Sequence, residues 1–321
     1  MASGTIGIDL GGTKVAAALV DADGRVVASH VFPTNTAKGP DGIIDDIVAC
    51  VKDKLGAAVG SAQGLGIGVP GQVDDASGEV DSAINLRWQR VPLRAALERR
   101  LGLPVVVTND VRAATWGEWV YGAGRGTDDL VTLFIGTGVG GGVVIGGRLL
   151  VGCTGAAAEL GHMTIVTGGR KCHCPNSGCL EAYVGGWAIA EAAREAVLRD
   201  REAGRRLAAL AGGLERITAA TVGDAYHQGD PLAVHLVAEI SQHLAAGIVT
   251  LVHAFNPCLI IFGGGVIEGL PELAMLAEAP ARAHVFKASL TRLRFARAAL
   301  GRQAGVIGAA AMARITVGGT P

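Results

Sequence analysis

The feature of this sequence that leaves the fewest options for its fold is a pattern that occurs twice. Three short strand-like runs, Thr5 to Asp9, Val15 to Asp21 and Arg25 to Phe32, are punctuated by Gly11-Gly12 and Asp23-Gly24. Apolar runs of that length, broken by such turn residues, read as a β-meander. A second meander, Leu130 to Ile135, Gly140 to Ile145 and Arg148 to Val151, is split by another glycine cluster. Recurrence of one unit marks an internal duplication. The first copy continues as a helical pattern over about Gly42 to Val59, a strand at Leu65 to Val69, a helix near Leu93 to Leu101 and a strand at Pro104 to Thr108. Its order is βββαβαβ. In the second copy Asp230 and Pro231 read as N-cap and first residue of a long helix. Its apolar positions Leu236, Ile240, Leu244, Ile248 and Leu251 keep helical spacing up to Asn256-Pro257. A buried strand, Cys258 to Phe262, then runs into Gly263-Gly264-Gly265.

A chain of 321 residues exceeds what one compact core usually holds, so two lobes with a cleft between them are expected. With 49 glycines and only 4% aromatic residues, the core must be Val, Leu, Ile and Ala, with many tight turns and close backbone approaches. The net charge of -1 gives no electrostatic footprint for nucleic acid or an anionic membrane. The expected partner is a small molecule. Met1 to Ile6 lacks a basic segment followed by an apolar run, and Leu244 to Phe262 is broken by His253, Asn256 and Pro257. Neither a signal peptide nor a membrane span is expected, which points to the cytoplasm. Six cysteines are too few for a disulfide scaffold, and the crowding of Cys172, Cys174 and Cys179 favours reduced thiols and a metal.

Two glycine turns in matching positions suit a polyphosphate, because turn amides can surround its oxygens. In the first, Asp9-Leu10-Gly11-Gly12-Thr13-Lys14, Gly11 and Gly12 clear space for the backbone. Thr13 and Lys14 can meet phosphate, and Asp9 can hold hydrated Mg2+. The second turn begins Gly136-Thr137-Gly138 and runs to Gly142. It matches the dinucleotide fingerprint at Gly136, Gly138 and Gly141, but that fingerprint needs a following helix and Val143 to Gly147 reads as a strand. A Rossmann site is rejected. A Walker loop is excluded too, since Thr13 stands where its lysine belongs. Gly264 is a candidate for lining an adenosine pocket.

Asp110 ends the strand before the helical stretch Val111 to Trp119, where it could serve as an N-cap or as a base. Three thiolates at Cys172, Cys174 and Cys179 ask for a fourth tetrahedral ligand brought by the fold. His162, ten residues upstream, is the expected fourth ligand of a structural Zn2+, with His173 as the local competitor.

Asp9 to Lys14, Gly136 to Gly142, Glu159-Leu160-Gly161-His162 and the Cys172 to Glu181 segment together resemble the ROK sugar kinases, a likeness that covers essentially the whole chain. The resemblance implies an α/β, two-lobed, actin-like (ribonuclease H-like) ATPase fold built from a duplicated βββαβαβα unit. Residues 1–108 with about 302–321 would form the smaller lobe, and 109–301 the larger. With the first phosphate turn already at Asp9, it points to the kinase branch rather than the repressors, which carry a DNA-binding module ahead of that turn. It implies ATP as phosphoryl donor, a hexose as substrate, and Asp110 as the base that accepts the proton of the 6-hydroxyl. Asn109 beside it, with Glu159, His162 and Glu181, would contact the sugar's hydroxyls, and Asn85 is a weaker candidate for the same ring. The segment Asn85-Leu86-Arg87-Trp88, with Val91-Pro92-Leu93, resembles one in the family's glucokinases. The alternatives are an N-acetylmannosamine or N-acetylglucosamine kinase, a polyphosphate donor, and a sugar-binding regulator without turnover. A homodimer or homotetramer is implied. Pro175 departs from the glycine usual at that place in similar family members.

Overall fold

The computed structural model describes residues 4–55, 60 and 62–318. The chain divides into two compact units, Met1–Thr127 with Leu149–Ala158 and Ala298–Pro321, and Asp128–Arg148 with Glu159–Arg297.

The first unit is built on strands β1 (Thr5–Leu10), β2 (Lys14–Val20), β3 (Val26–Pro33), β4 (Leu65–Val69) and, after an insertion, β8 (Val105–Asn109). They form one sheet in the order β3-β2-β1-β4-β8. The hairpin β1–β2 is antiparallel, while β1–β4 and β4–β8 are parallel. Burial explains the difference in composition. The central strands β1 and β4 are almost wholly buried and mostly apolar, whereas edge strand β3 alternates between half-buried and exposed positions. Helix α1 (Gly39–Asp53) covers one face through Ile43, Ile44, Ile47 and Val51. It begins earlier than the sequence pattern suggests because Pro40 occupies its first turn. Residues 56–59 of the expected helix lie outside the described residues.

Between β4 and helix α2 (Leu93–Leu101) the chain inserts a small sheet of β5 (Gln72–Asp74), β6 (Glu79–Ala83) and β7 (Trp88–Val91). Sequence reading misses it, because its strands are short and largely polar and the turn Asp74 to Gly78 is closed by the Asp74 carboxylate rather than by a glycine pair.

Helix α3 (Asp110–Val120) follows β8, and the last helix, α12 (Ala304–Thr316), packs on the opposite sheet face from α1. Gly7 and Gly66 are register partners on β1 and β4, and a Cβ on either would collide with the carbonyl of Val306 or Ala309 in α12. Gly308 lets α12 approach Ala113 of α3 in the same way. This close packing corrects the expected boundary at residue 108. Helix α3 belongs to the first unit, as does the segment Leu149–Ala158, because each packs there rather than with the chain that follows it.

The second unit repeats the plan. Strands β9 (Leu130–Ile135), β10 (Val139–Ile145), β11 (Arg148–Leu149), β12 (Leu259–Gly263) and β13 (Arg294–Arg297) form a sheet in the order β11-β10-β9-β12-β13. Again the first pair is antiparallel, and β9–β12 and β12–β13 are parallel. Strand β10 confirms that no helix follows the glycine turn. The helices are α4 (Glu181–Val184), α5 (Gly186–Arg199), α6 (Arg205–Ala211), α7 (Ala219–His227), α8 (Pro231–Phe255), α9 (Gly265–Gly269), α10 (Glu272–His284) and α11 (Lys287–Leu290). Asp230 caps α8, its carboxylate accepting from the Ala233 amide at 2.9 Å, and Asn256 ends it in the left-handed conformation. By length and composition α8 could cross a bilayer, but its apolar stripe faces α4, α7 and α10 and forms the core of this unit.

Candidate functional site

The first unit brings together the residues expected to handle phosphate and proton. Asp9 stands near the end of β1, and the turn that follows closes with the Gly11 amide donating to the Lys14 carbonyl at 2.9 Å. Thr34, just past β3, holds this turn from the side: its amide donates to Thr13 O at 2.9 Å and its hydroxyl to Gly11 O at 2.7 Å. Thr13 and Lys14 remain exposed, and Asn85 lies directly against Gly12.

Asn109 and Asp110 divide the start of α3 between them. The Asn109 side-chain oxygen caps the helix, accepting from the amides of Val111 at 3.0 Å and Arg112 at 3.1 Å, while its Nδ2 donates to Gly71 O at 3.1 Å. One amide hydrogen of Asn109 is therefore left for a ligand. Asp110 is not the cap but the first helical residue, its Oδ1 accepting from the Val111 amide at 2.8 Å. A carboxylate in that position is favoured by the helix dipole. Gly68 of β4 permits the approach, since a Cβ there would press on Asp110 Cα. Asp9 feels the neighbouring charge: burial first, and then the Asp110 carboxylate, raise its pKa to about 6, against a lowering pull from Lys14.

The second unit collects the other candidates. Its glycine turn is pinned at several points: the Gly136 amide donates to Gly138 O, that of Gly186 to Gly136 O, and that of Trp187 to Thr137 O, at 2.9, 2.9 and 3.1 Å. The Val139 amide donates to Oε2 of Glu181 at 2.8 Å, and a Cβ on Gly138 would collide with that carboxylate. Glu181, expected as a sugar contact, is thus also the buttress of the turn, with Oε1 left facing Cys172 Sγ at 3.9 Å. Glu159 is exposed, and its carbonyl accepts from the His162 amide at 3.0 Å across a single 3₁₀ turn.

Four donor atoms, from His162, Cys172, Cys174 and Cys179, lie within 4.8 Å of one another. Cys172 Sγ is 3.7 Å from His162 Nδ1, and Cys174 Sγ is 3.6 Å from Cys179 Sγ. Ligands around a tetrahedral zinc, at about 2.3 Å for sulfur and 2.0 Å for nitrogen, stand roughly 3.5 to 3.8 Å apart, so the donor set fits that ion. All six cysteines are free of disulfides. His173 lies outside the cluster, its ring stacked on Trp187.

Beside the second glycine turn lies a cavity of about 630 Å³, within the range of small-molecule sites. Thr137, Trp187, Arg194, Glu215, Thr218 and Val266 line it. Gly264 does not line it but, at φ 90°, brings the start of α9 against the Ile135 carbonyl, so that Gly265 and Val266 do. Sequence reading misses Trp187, Arg194, Glu215 and Thr218, which belong to no motif; the one available signal was a scarce tryptophan directly after Gly185-Gly186.

A family model described as the ROK family matches residues 5–315. The chain is 38% identical to the glucokinase of Streptomyces coelicolor over 97% of each chain. Among solved structures it is similar to a ROK family glucokinase from Streptomyces griseus in complex with glucose and AMPPNP, with a TM-score of 0.79 and 38% identity over 98% of this chain and 100% of that one. It is also similar to a ROK hexokinase from Thermus thermophilus, with a TM-score of 0.83 and 32% identity over 98% of this chain and 99% of that one. A match that runs from β1 into α12 takes in both copies of the repeated sheet: the chain belongs to the ROK family and carries its two-lobed, actin-like ATPase fold.

Proposed function

We propose that this chain is an ATP-dependent glucokinase that moves the γ-phosphoryl group of ATP to the 6-hydroxyl of glucose. The observation that carries the reading is the arrangement at the start of α3, where Asn109 caps the helix and the Asp110 carboxylate, its first residue, stands close enough to Asp9 to raise its pKa. As the 6-oxygen attacks the γ-phosphorus, its proton passes to the Asp110 carboxylate, the bond from phosphorus to the β–γ bridging oxygen breaks, and ADP departs. A mild base is enough, because positioning the in-line oxygen and neutralising the phosphate charge lower most of the barrier.

The Gly12 amide, with Thr13 and Lys14, and the amides of Thr137 and Gly138 serve the phosphates on turns that Gly11 and Gly136 close through their own amides, and the cavity beside Trp187 takes the adenosine. Asn85, the free amide hydrogen of Asn109, Glu159, His162 and Oε1 of Glu181 serve the ring hydroxyls, whose paired donor and acceptor character suits amides, imidazole and carboxylates. Asp9 would hold Mg2+: a largely buried carboxylate with a raised pKa beside a second carboxylate is a position that a cation relieves. That ion would neutralise charge on the β- and γ-phosphates. His162 with Cys172, Cys174 and Cys179 would hold Zn2+, which fixes the turn and the His162 tautomer. With Nδ1 turned to the cluster, His162 Nε2 is left for a sugar hydroxyl.

A coupled assay for ADP release over glucose, mannose and the N-acetylated hexosamines tests the reading. The highest kcat/KM with glucose supports it; a better N-acetylhexosamine changes the substrate alone; turnover with polyphosphate but not ATP changes the donor. Sugar binding with no ADP release would turn the assignment to a regulator. The same reading places the enzyme in the cytoplasm as a homodimer or homotetramer, the assembly being readable by light scattering.

A further inference from the structure

Two residues, His173 of the cysteine segment and Trp187, join the four-donor turn to the cavity. Trp187, second residue of α5, lines the cavity and is anchored through its amide to Thr137 O at 3.1 Å. The His173 ring stacks on its indole, with centroids 4.1 Å apart and planes inclined by 27°. His173 stands between Cys172 and Cys174, contributes nothing to the four-donor cluster, and is otherwise exposed. The indole Nε1 is buried without a hydrogen-bond partner, so no polar contact of the ring fixes its orientation. The aromatic contact of the ring is with His173. The cavity it faces combines apolar walls with a few polar groups, Arg194 among them, whose guanidinium is fixed by donating to Ile217 O at 3.0 Å. Such a lining suits a flat heteroaromatic ring with polar edges.

We propose that Trp187 is the aromatic wall for the nucleobase of the phosphoryl donor and that His173 clamps this wall from the metal-ligand turn, so that the turn sets nucleotide affinity without touching the nucleotide. The identification of the ligand as an adenine nucleotide rests on the kinase reading. His173 is in these terms a positioning residue, and Trp187 a binding residue.

The test is a fluorescence titration of the full chain with MgADP and, separately, inorganic tripolyphosphate. Of the four tryptophans, Trp187 alone lies in the second unit, so its signal is isolated by comparison with Trp187→Phe. ADP should change the wild-type emission, tripolyphosphate should not, and Trp187→Phe should abolish the change. His173→Ala should weaken ADP binding about two- to tenfold, the range of an aromatic contact, with bound metal and the KM for sugar at wild-type values. Silence of Trp187 toward ADP, unchanged ADP affinity in His173→Ala, or loss of metal together with that affinity each overturns the proposal. A wild type that binds ADP but phosphorylates no hexose sinks the kinase reading and leaves this titration decisive; an active kinase with a silent Trp187 sinks the clamp alone.

Discussion

The two glycine turns sit on the same strand order, each closing the antiparallel hairpin at the start of its sheet, yet they are held in different ways. The first is braced by neutral groups of Thr34 and ends in exposed Thr13 and Lys14. The second carries no charge of its own; a carboxylate, Glu181, and the start of α5 hold it, and Glu181 also meets the four-donor cluster at Cys172. Duplication therefore supplies the scaffold and neighbouring elements supply the chemistry. The first unit holds Asp9, Lys14 and Asp110 with Asn85 and Asn109, and the second holds Glu159, His162 and Glu181, the four-donor cluster and the cavity beside Trp187.

The largest effect that would sharpen this contrast is expected from Cys172→Ser. If the cluster organises the candidate residues of the second unit, the variant loses bound zinc by elemental analysis and at least about 10²-fold in kcat/KM, while the first unit's fold persists. Full activity without zinc would break the contrast.

Glu181→Gln keeps the shape but makes the acceptor for the Val139 amide neutral. Removal of one charge-assisted hydrogen bond should lower kcat/KM about 10- to 100-fold, with KM for ATP and for sugar both raised, because one side chain serves both. An effect on sugar alone would show that Glu181 is not the buttress of the turn.

Asp9→Asn should act with opposite signs on activity and stability. Between pH about 4 and about 6 the folded chain holds a proton that the unfolded chain has lost, so stability falls as pH rises through that window and stays lower above it. The neutral variant should thus be more stable than wild type at pH 7 in magnesium-free buffer, by up to about 3 kcal/mol, and inactive. Denaturant titrations at pH 4 and pH 7 measure this, and a variant no more stable at pH 7 contradicts it.

Thr34→Val should be the mildest, since a neutral hydroxyl is all it removes from the first turn: about a few-fold rise in the KM for ATP, with sugar affinity unchanged. A loss as large as that of Glu181→Gln would erase the distinction between the turns.

Much of this was legible in the sequence where local chemistry and fold agree. The meanders, the strand at Leu65–Val69, the helix at Leu93–Leu101 and the capped helix after Asp230 all follow from periodicity and turn residues. The cysteine cluster follows from spacing. What sequence did not show depends on contacts distant along the chain. Helix α3 joins the first unit because Gly308, nearly two hundred residues later, meets Ala113. Asn109 rather than Asp110 caps that helix because Gly71 fixes its amide. The cavity residues gather from three helices and a turn that share no motif.

The central claim is that Asp110, first residue of α3 and neighbour of Asp9, is the base. The direct measurement is kcat for ADP release by Asp110→Asn beside its glucose affinity by calorimetry. The account predicts a kcat loss of about 10² to 10⁴-fold with a glucose Kd within about threefold of wild type. A variant that turns over near the wild-type rate, or that loses glucose affinity in proportion to its rate, would contradict it.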